Sequence, residues 1–577
     1  MLLVAGVLAF GVLAPPEHCP DVTADDLEAS ATAAVDWFTR NQYDDGTWLY
    51  EYDAVADRET GSPYNVVRHA GAVMGLYQAA TAGIPGALES ADRGVEWARD
   101  HLLERDGWTA VTFDGRTAVG TAALLTAGLV ERRLLTGETD ADDLIRGLAR
   151  FMVAQTESSG AVLAEYDDAA GQPVPGLYSK YFTGEAYWAL ARVHRLFPDE
   201  GWGEAADRIG DYLATSRDEV EGNWPPVPDH WTAYGLAETI DFPERHPDRP
   251  LTEDELANAE RQAALFGSQV RWVSQQAGPW GVAVRGTFSP RGGGYGVVGE
   301  ALTGLWLVAE ADGRLAGDRQ PIADRAQCIA ALAIDAQRVG SEADGAPRPD
   351  RVDGAWFVGD VTRMDDQQHA ISALLRTIPI VEAQSIIGED DAPSGWLWLL
   401  ALVATLNALY AAVGTPRRAS GRERATLGAL GGVVASVVVL VAGLLGDPLL
   451  DLLDVSAPAA RIAVGAVAAV AALFRMVARP PSPDPALPGW RAAIIPVGIP
   501  LVASPAAVLL AIGAAADGML GVLGIALVIT IGVLAGVAAV VPVEGAGRVG
   551  VMWVARLVSA AAAVACVLLV IDGVLDV

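Results

Sequence analysis

The chain has 577 residues, of which 51% are hydrophobic, and its formal net charge at pH 7 is −32. This length exceeds one ordinary domain, and the negative charge argues against nucleic acid as a partner because phosphates are repelled. Acidic residues are concentrated before Pro393, whereas the sequence from Gly395 to Val577 contains long apolar runs. We therefore expect an acidic, water-soluble domain at residues 20–394 and a transmembrane domain at residues 395–577.

The first 19 residues predict a weak signal or anchor segment. Their apolar run, Leu2–Ala14, is short for a membrane span and lacks a basic flank. Cys19, Cys328 and Cys566 lie in three different regions of the chain. This distribution argues against a disulfide framework, and no Cys-x-x-Cys pair offers a zinc site.

A repeated unit organises the acidic domain. Its first copy reads Phe38-x-x-x-Gln42-x-x-x-Gly46-x-Trp48, and looser or degenerate copies follow downstream. Each interval between successive copies suits two helices of about three to four turns with their loops. The glycines that mark the six copies are Gly46, Gly107, Gly160, Gly222, Gly278 and Gly354.

Hydrophobic periodicity assigns these helices to two layers. Ala70–Tyr77 and Glu185–Leu190 are small and apolar on all sides, which predicts buried inner helices. Asp140–Gln155 and Gly203–Ser216 are amphipathic and predict outer helices. The sequence thus predicts an all-α protein, an (α/α)6 six-hairpin toroid followed by a transmembrane helical bundle.

The aromatic-x-x-x-Gln…Gly-x-Trp units resemble the QW repeats of squalene-hopene cyclases. The plan is similar to terpenoid-cyclase toroids and six-hairpin glycosidases over about residues 28–385, and it is specific for architecture, not for activity. The resemblance implies that Gln42, Trp48 and their equivalents tie helices together. Such cyclases also use a D-x-D-D acid. Asp140-Ala141-Asp142-Asp143 matches those letters, but it begins a predicted outer helix, where carboxylates cap the helix.

Polar residues precede alanine at equivalent points of the predicted inner helices. We expect His69, Glu185, Glu300 and His369 to lie at one level near a mouth of the cavity, and we predict that they are catalytic. Buried carboxylates are costly unless paired or hydrated, although a helix dipole or core packing explains any one of them equally well. The pairs are His69-Ala70, Thr121-Ala122, Glu185-Ala186, Glu300-Ala301 and His369-Ala370, with Leu236-Ala237 as the less clear fourth.

The loops before the inner helices combine aromatic, acidic and basic side chains, as sugar recognition requires. Asp365 and Asp366 join the candidate acid–base groups, and Lys180, the only lysine, could hold an anion, act as a base or be solvated. Two histidines and two glutamates could bind a metal, but no local His-x-x-x-His pair exists. We therefore predict an acid–base site without metal or cofactor. Its predicted substrate-binding residues are Tyr50, Glu51, Arg68, Tyr178, Lys180, Tyr181, His230, Trp231 and Tyr295.

Six apolar stretches approach the length of a membrane-spanning helix. Arginines follow the first, third and fifth, and arginine-rich loops stay in the cytoplasm. This pattern predicts a multi-pass protein of the cell membrane whose large domain lies outside the cytoplasm. The stretches are Trp396–Val413, Leu427–Leu445, Ile462–Val477, Ala493–Ala515, Met519–Val541 and Val558–Ile571.

Together these patterns predict a membrane-anchored, extracytoplasmic carbohydrate-active enzyme, namely a hydrolase, lyase or epimerase. Its expected partners are a surface polysaccharide or glycolipid substrate and membrane lipids. One alternative is a terpenoid-cyclase-like lipid or isoprenoid enzyme, although the loops are too polar for a carbocation cavity. Another is a non-catalytic module that binds a glycan or peptide for the membrane domain.

Overall fold

The computed structural model describes residues 17–243, 245–276, 292–386, 395–413, 420–446, 450, 457–478, 501–516, 519–540 and 546–575. It contains two compact units. One comprises His18–Ser274 and Thr287–Ile387, and the other is built chiefly from Gly388–Val577. Most of the predicted N-terminal segment, the repeat glycine Gly278 and most of the arginine-rich loops lie outside the described residues.

Six helical hairpins form the first unit. The outer helices are α1 (Ala24–Arg40), α3 (Ala87–Arg99), α5 (Asp142–Ala154), α7 (Trp202–Thr215), α9 (Glu253–Ser274) and α11 (Arg319–Ala336). The inner helices are α2 (Val66–Thr81), α4 (Val119–Thr136), α6 (Phe182–Leu196), α8 (His230–Thr239), α10 (Gly292–Ala311) and α12 (Met364–Ile386). Each inner helix packs against the next, and α12 packs against α2. This closed ring of inner helices confirms the predicted (α/α)6 toroid.

Glycines allow the inner helices to approach closely, because a Cβ at these positions would collide with the neighbouring helix. At Gly296, for example, an added Cβ would lie 2.2 Å from the carbonyl carbon of His369. Every one of the six contacts in the ring contains such a position. In ring order these positions are Gly128 (α2/α4), Gly120 (α4/α6), Gly235 (α6/α8), Gly304 (α8/α10), Gly296 (α10/α12) and Gly71 (α12/α2).

Short strands lie in the loops at the helix ends. They are β1 (Glu51–Asp53), β2 (Arg58–Glu59), β3 (Leu102–Arg105), β4 (Trp108–Val111), β5 (Thr117–Ala118), β6 (Glu165–Asp167), β7 (Gln172–Pro173), β8 (Gln337–Arg338), β9 (Ala355–Trp356) and β10 (Val361–Arg363). All the pairs are antiparallel, in the orders β10-β1-β2, β3-β4, β5-β6-β7 and β8-β9. The β1–β10 pair, with Glu51 opposite Arg363, joins the first hairpin to the last.

A disulfide between Cys19 and Cys328 also joins the two ends of the ring. The expectation of no disulfide was therefore wrong. The two cysteines are 309 residues apart in sequence, but ring closure packs α11 beside α1 and brings them together. Cys566 is a free, buried cysteine.

The repeat glutamines hold adjacent hairpins together. The Gln42 amide donates to the carbonyl oxygens of Gly46 (3.1 Å) and Ser90 (2.9 Å), the second of which lies on the next outer helix. The Gln337 amide donates in the same way to Gly354 (2.9 Å) and Ser30 (3.0 Å). These bonds have the tying geometry that the repeat predicts for its glutamines.

The second unit contains α13 (Gly395–Leu406), α14 (Ala408–Val413), α15 (Gly421–Leu444), α16 (Ala457–Val477), α17 (Pro505–Ala516), α18 (Leu520–Val540) and α19 (Ala546–Leu575). Among the described residues, four helices are long and apolar enough to cross a membrane, namely α15, α16, α18 and α19. Two of the six predicted spans are shorter apolar helices, at Leu397–Val413 and Pro505–Ala515. This unit fits a C-terminal membrane domain.

We predict that Gly296→Ala lowers the free energy of unfolding by about 1–3 kcal/mol, because the new Cβ overpacks the α10/α12 contact. The measurement is thermal or denaturant unfolding of the toroid signal in the full chain. Gly267→Ala on outer helix α9 is the matched control, since nothing lies within 4 Å of its Cβ position. The control should gain about 0.5–1 kcal/mol. Equal effects at both positions would contradict close packing at Gly296.

Candidate active site

The N-terminal ends of the inner helices meet at one mouth of the toroid. Arg68 of α2 pairs with Asp365 of α12, with 3.4 Å between Nε and Oδ2. The Gly293 amide of α10 donates to Asp366 of α12 at 3.2 Å. Parallel helix dipoles therefore direct their positive ends toward this mouth, which favours negative charge there. Apolar inner helices thus carry a polar cluster at this end.

A His–Glu cluster lies inside this mouth. Glu300 on α10 has no exposed surface, and its Oε2 is 2.7 Å from His369 Nδ1 on α12. His230 Nε2, at the start of α8, lies 3.6 Å from the same oxygen. The rings of His230 and His369 are 5.4 Å apart. Burial lowers the pKa of His230 well below its usual value, and the charges of His369 and Arg68 add to this effect. His230 is therefore neutral at physiological pH.

Glu185, near the start of α6, faces the same region and is protonated at neutral pH. Burial raises its pKa to about 8, and the carboxylates of Asp229 and Glu300 contribute, while Arg68 acts in the opposite direction. Its Oε2 is buried without a hydrogen-bond partner. That oxygen would lie 2.5 Å from a Cβ at Gly120, so only glycine on α4 leaves room for the carboxyl group. A protonated acid that is electrostatically coupled to Glu300 can donate a proton to a substrate oxygen at this mouth.

Asp365 and Asp366 form a second acidic pair at the start of α12. Asp365 lies between two guanidinium groups, 3.4 Å from Arg68 and 3.6 Å from Arg363. Asp366 has a pKa raised to about 7, first by burial and then by the charge of Asp365. Its Oδ2 has no hydrogen-bond partner. Two neighbouring carboxyl groups in such different environments can take different acid–base roles.

Several predicted substrate-binding residues lie near the mouth. Burial raises the pKa of Tyr50, and Asp365, Arg363 and Arg68 all act on its hydroxyl group. The Tyr181 ring is 42% exposed and 6.1 Å from the His230 ring, so it is available for stacking. Trp231 is buried, with its ring 5.9 Å from His369. These three aromatic residues are positioned beside the acid–base groups.

The remaining predicted binding residues are positioned differently. Glu51 pairs loosely with Arg363 at 3.9 Å and accepts hydrogen bonds from Thr60 and Ser62. The hydroxyl group of Tyr178 donates to Glu157 at 3.1 Å. Lys180 is exposed, and Tyr295 is buried on α10.

His69 does not join the His–Glu cluster. Its Nδ1 bonds the Tyr64 hydroxyl group at 2.8 Å, and its Nε2 bonds the Gly94 carbonyl group at 2.9 Å. Its ring also packs on Trp97 at 4.3 Å, between α2 and the outer helix α3. His69 therefore lies on the outer side of its helix, whereas Glu300 and His369 bond each other at 2.7 Å and the charge of Glu300 acts on Glu185.

The fourth inner helix begins at His230, six residues before Leu236, which the repeat register had assigned to the equivalent position. Asp229 caps this helix by accepting from Trp231 N at 3.1 Å and the Thr232 hydroxyl group at 3.0 Å. Arg217 holds Asp229 at 2.5 Å and donates to the Lys180 carbonyl oxygen. Asp229 and Arg217 therefore position His230. Asp229 precedes His230 in the loop that the sequence pointed to, but neither Asp229 nor Arg217 was among the predicted site residues. An Asp before an aromatic run is the N-cap signal that could have placed this helix.

The opposite end of the toroid contains internally paired charges. Arg192 lies between Glu131 and Glu238, and Arg195 also pairs with Glu238 at 2.7 Å. A cavity of about 450 Å³ opens there, lined by residues that include Arg195, Glu238 and Arg376. Because Arg192 and Arg195 already have carboxylate partners, these pairs stabilise the C-terminal ends of the inner helices.

His230, Glu300 and His369 also offer the donor set of a metal site. One ligand atom from each lies within 4.8 Å of the others. However, His369 Nδ1 and Glu300 Oε2 are only 2.7 Å apart. Two ligands of one zinc ion stand roughly 3.3 Å apart in a tetrahedral site. The observed distance is that of a direct hydrogen bond, so metal binding would require these two side chains to separate.

Comparison with known proteins gives structural likenesses only. No family model and no curated protein sequence matches the chain. Cellobiose 2-epimerase from Spirochaeta thermophila matches with a TM-score of 0.46 and 14% identity, covering 63% of this chain and 97% of its own.

An unsaturated glucuronyl hydrolase specific for heparin matches with a TM-score of 0.44 and 14% identity, covering 62% of this chain and 98% of its own. A GH76 α-mannanase from Bacteroides thetaiotaomicron matches with a TM-score of 0.43 and 8% identity, covering 63% and 97%. The closed ring of six inner helices establishes independently that the first unit is a six-hairpin (α/α)6 toroid.

Proposed function

We propose that the toroid is a carbohydrate-active enzyme that moves a proton on a sugar, as an epimerase or lyase does. The observation that carries this proposal is the buried hydrogen bond between His369 Nδ1 and Glu300 Oε2, 2.7 Å long. Glu300 accepts the proton of Nδ1, fixes the imidazole ring and leaves Nε2 as the basic nitrogen. His230 and Glu185 complete a site with one oriented base, a second neutral histidine and a protonated acid.

For an open-chain reducing sugar, His369 removes the proton from the carbon beside the carbonyl group. The C–H electron pair forms a carbon–carbon double bond, and the carbonyl oxygen takes a proton from Glu185, which gives an enediol. The proton that His369 gains is balanced by release of its Nδ1 proton through Glu300 Oε2, which lies 2.7 Å from that nitrogen and 3.6 Å from His230 Nε2. His230, whose ring is 5.4 Å from that of His369, takes up this proton at Nε2 and donates one from Nδ1 to the other face of the carbon. Glu185 takes back the hydroxyl proton. Electron flow then reverses, and no oxidant or other co-reactant is needed.

A hydrolase is the second candidate, and Asp365 and Asp366 favour it. Asp365 lies between the guanidinium groups of Arg68 and Arg363, whereas the pKa of Asp366, raised by burial to about 7, suits that group to act as an acid. Such a pair can cleave a glycosidic bond. Product analysis distinguishes the two, because hydrolysis releases a smaller sugar and epimerisation does not.

We also propose that the protein is anchored in the membrane with the toroid outside the cytoplasm, near a surface polysaccharide or glycolipid. The Cys19–Cys328 disulfide supports this location, because structural disulfides persist in oxidising compartments. Four helices long and apolar enough to span a bilayer support the anchor. An accessibility test with a membrane-impermeant reagent directed at exposed Lys180, the only lysine, would locate the toroid in intact cells.

The first prediction concerns isotope exchange. In D2O, the full chain in nanodiscs should incorporate deuterium beside the carbonyl carbon of a reducing mono- or disaccharide. His369→Gln and Glu300→Gln should each lower this rate by about 10²–10⁴-fold, the usual contribution of a positioned base. The measurement is mass spectrometry or NMR of the recovered sugar.

His194→Gln is the matched control, because His194 is a buried histidine near the other end of inner helix α6, packed on Phe242. It should keep the parent rate. Loss of sugar chain length without deuterium incorporation would instead favour the hydrolase. If neither exchange nor hydrolysis occurred with any sugar tested, and the parent and His369→Gln proteins retained a sugar equally, the toroid would be a binding module and not an enzyme.

A second prediction concerns pH. The raised pKa of Glu185 predicts that activity falls as pH rises through about 8, when the acid ionises. The pKa of Glu185 is about 8 in the folded protein and 4.5 in the unfolded chain, so between these pH values only the folded state keeps the proton. The contribution of this proton to stability is therefore complete below about pH 4.5 and is lost as the pH rises through about 8. Glu185→Gln should therefore become more stable relative to the parent between pH 5 and 9, measured by thermal unfolding. A difference that does not change with pH would contradict the assigned protonation.

A third prediction concerns metal ions. Activity should survive dialysis against EDTA, because His369 and Glu300 bond directly to each other. The assay is the same deuterium exchange, with and without added Zn²⁺ or Mn²⁺. If EDTA abolished exchange and one metal restored it, the His230, Glu300 and His369 side chains would be metal ligands instead of acid–base groups.

A further inference from the structure

The second unit contains a helix that is broken at a buried polar residue. A single residue, Asn407, separates α13 from α14 and has a φ of +37°, a left-handed conformation that asparagine tolerates. Its side-chain amide donates to the Ala555 carbonyl and Ser559 hydroxyl oxygens of α19, both at 2.9 Å. Its side-chain oxygen accepts from Tyr410 N at 3.1 Å and begins the next helix. The break is therefore fixed by specific bonds, and fixed breaks at membrane depth commonly line ligand sites.

Two arginines lie at this break. Arg475 of α16 donates to the Leu501 carbonyl group at 3.2 Å and to the Thr405 carbonyl group, where α13 ends. Its guanidinium carbon is 5.7 Å from the centre of the Tyr410 ring. Arg556 of α19 follows Ala555, whose carbonyl group bonds Asn407, and its guanidinium carbon is 5.1 Å from the centre of the Trp553 ring. Its charge also acts on Tyr410. Arg475, Arg556, Tyr410 and Asn407 are called the arginine cluster below.

The cluster lacks a carboxylate among the side chains that the structure describes. Glu423, an acidic residue of this unit, is exposed and accepts from the backbone amide of Ser420 at 2.7 Å, where it caps α15. The carbonyl oxygens account for Arg475, but Arg556 Nε is buried without a hydrogen-bond partner. Hydrogen bonds to backbone carbonyl groups therefore give Arg475 a structural role, whereas Arg556 has a donor that no described group accepts from.

Arg556 lies within an apolar span. The apolar stretch of α19 begins at Gly547, earlier than the predicted start at Val558, and therefore includes Arg556. A rise of 1.5 Å per residue places Arg556 about 14 Å from the first residue of this stretch. An arginine inside a bilayer costs several kcal/mol unless a partner compensates its charge. Such residues mark functional sites in membrane proteins.

We infer that the arginine cluster binds an anionic phosphate group, carried on a lipid headgroup that enters between the helices. Guanidinium groups match phosphate oxygens through paired N–H donors, and basic pockets between membrane helices hold such headgroups. The Tyr410 hydroxyl group supplies a further donor. A free phosphate ion has the same chemistry, so the experiment separates the two sources. This site is independent of the sugar chemistry proposed for the toroid.

The test uses the full chain, delipidated and reconstituted into phosphatidylcholine nanodiscs with or without phosphatidylglycerol. Native mass spectrometry measures the lipid retained after release, and thermal unfolding in inorganic phosphate provides the free-ion arm. The parent should retain phosphatidylglycerol, and Arg475→Gln and Arg556→Gln should each reduce retention about tenfold or more, the loss of one charged hydrogen bond. The control is Arg422→Gln on exposed Arg422 of α15, which should retain lipid as the parent does.

Arg556→Lys controls for misfolding of the glutamine variants, because lysine keeps the positive charge but lacks the paired N–H donors of the guanidinium group. It should remain folded and retain an intermediate amount of lipid. Stabilisation by inorganic phosphate alone, lost in both glutamine variants, would assign the site to a free anion and overturn the lipid source. Equal retention of both lipids, or unchanged retention in the two folded glutamine variants, would overturn the phosphate site itself.

Discussion

The close approach of the six inner helices is the constraint on which the toroid depends. Glycine at each contact leaves room for the neighbouring helix, either for its backbone, as at Gly296 against His369 and Gly128 against Met74, or for a side chain, as at Gly235 against Tyr187. Close approach increases the dispersion contacts between neighbouring helices. The His369–Glu300 hydrogen bond lies at such a contact, since Gly296 and Glu300 are one helical turn apart on α10.

The same constraint creates the chemistry of the mouth. A ring this tight leaves little room for water around Glu185, so burial keeps the carboxyl group protonated. Asp365, in contrast, has the cationic partners Arg68 and Arg363 beside it at the rim. Helix dipoles add a fixed positive field at this end, whereas the opposite end balances its carbonyl groups with Arg192 and Arg195. The two ends of the ring therefore differ. The mouth at the helix N-termini carries the cluster of titratable side chains, and the opposite end carries charges that are paired with one another.

The sequence predicted the ring well and the site in part. The repeat spacing identified six hairpins, and the polar-alanine register included Glu300 and His369, which are hydrogen-bonded to each other. His69 departed from this group because a helix register fixes height but not which side of the helix faces the cavity. Helix α8 begins at His230 because Asp229 caps it, a local signal that the longer repeat concealed. The Cys19–Cys328 bridge required ring closure across 309 residues, and no spacing rule contains that information.

Buried polar groups in the membrane unit are stabilised differently from those in the toroid, because the core of a bilayer contains no water to hydrate them. In the toroid, a buried carboxyl such as Glu185 stays neutral by holding a proton. A guanidinium group has no comparable escape, since arginine keeps its charge in proteins. Arg475 therefore takes carbonyl oxygens freed where Asn407 interrupts the helix, and Arg556 retains unused donor capacity. The proposed phosphate group accounts for both features. It would compensate the charge of Arg556, and the helix break at Asn407 lies beside the same site.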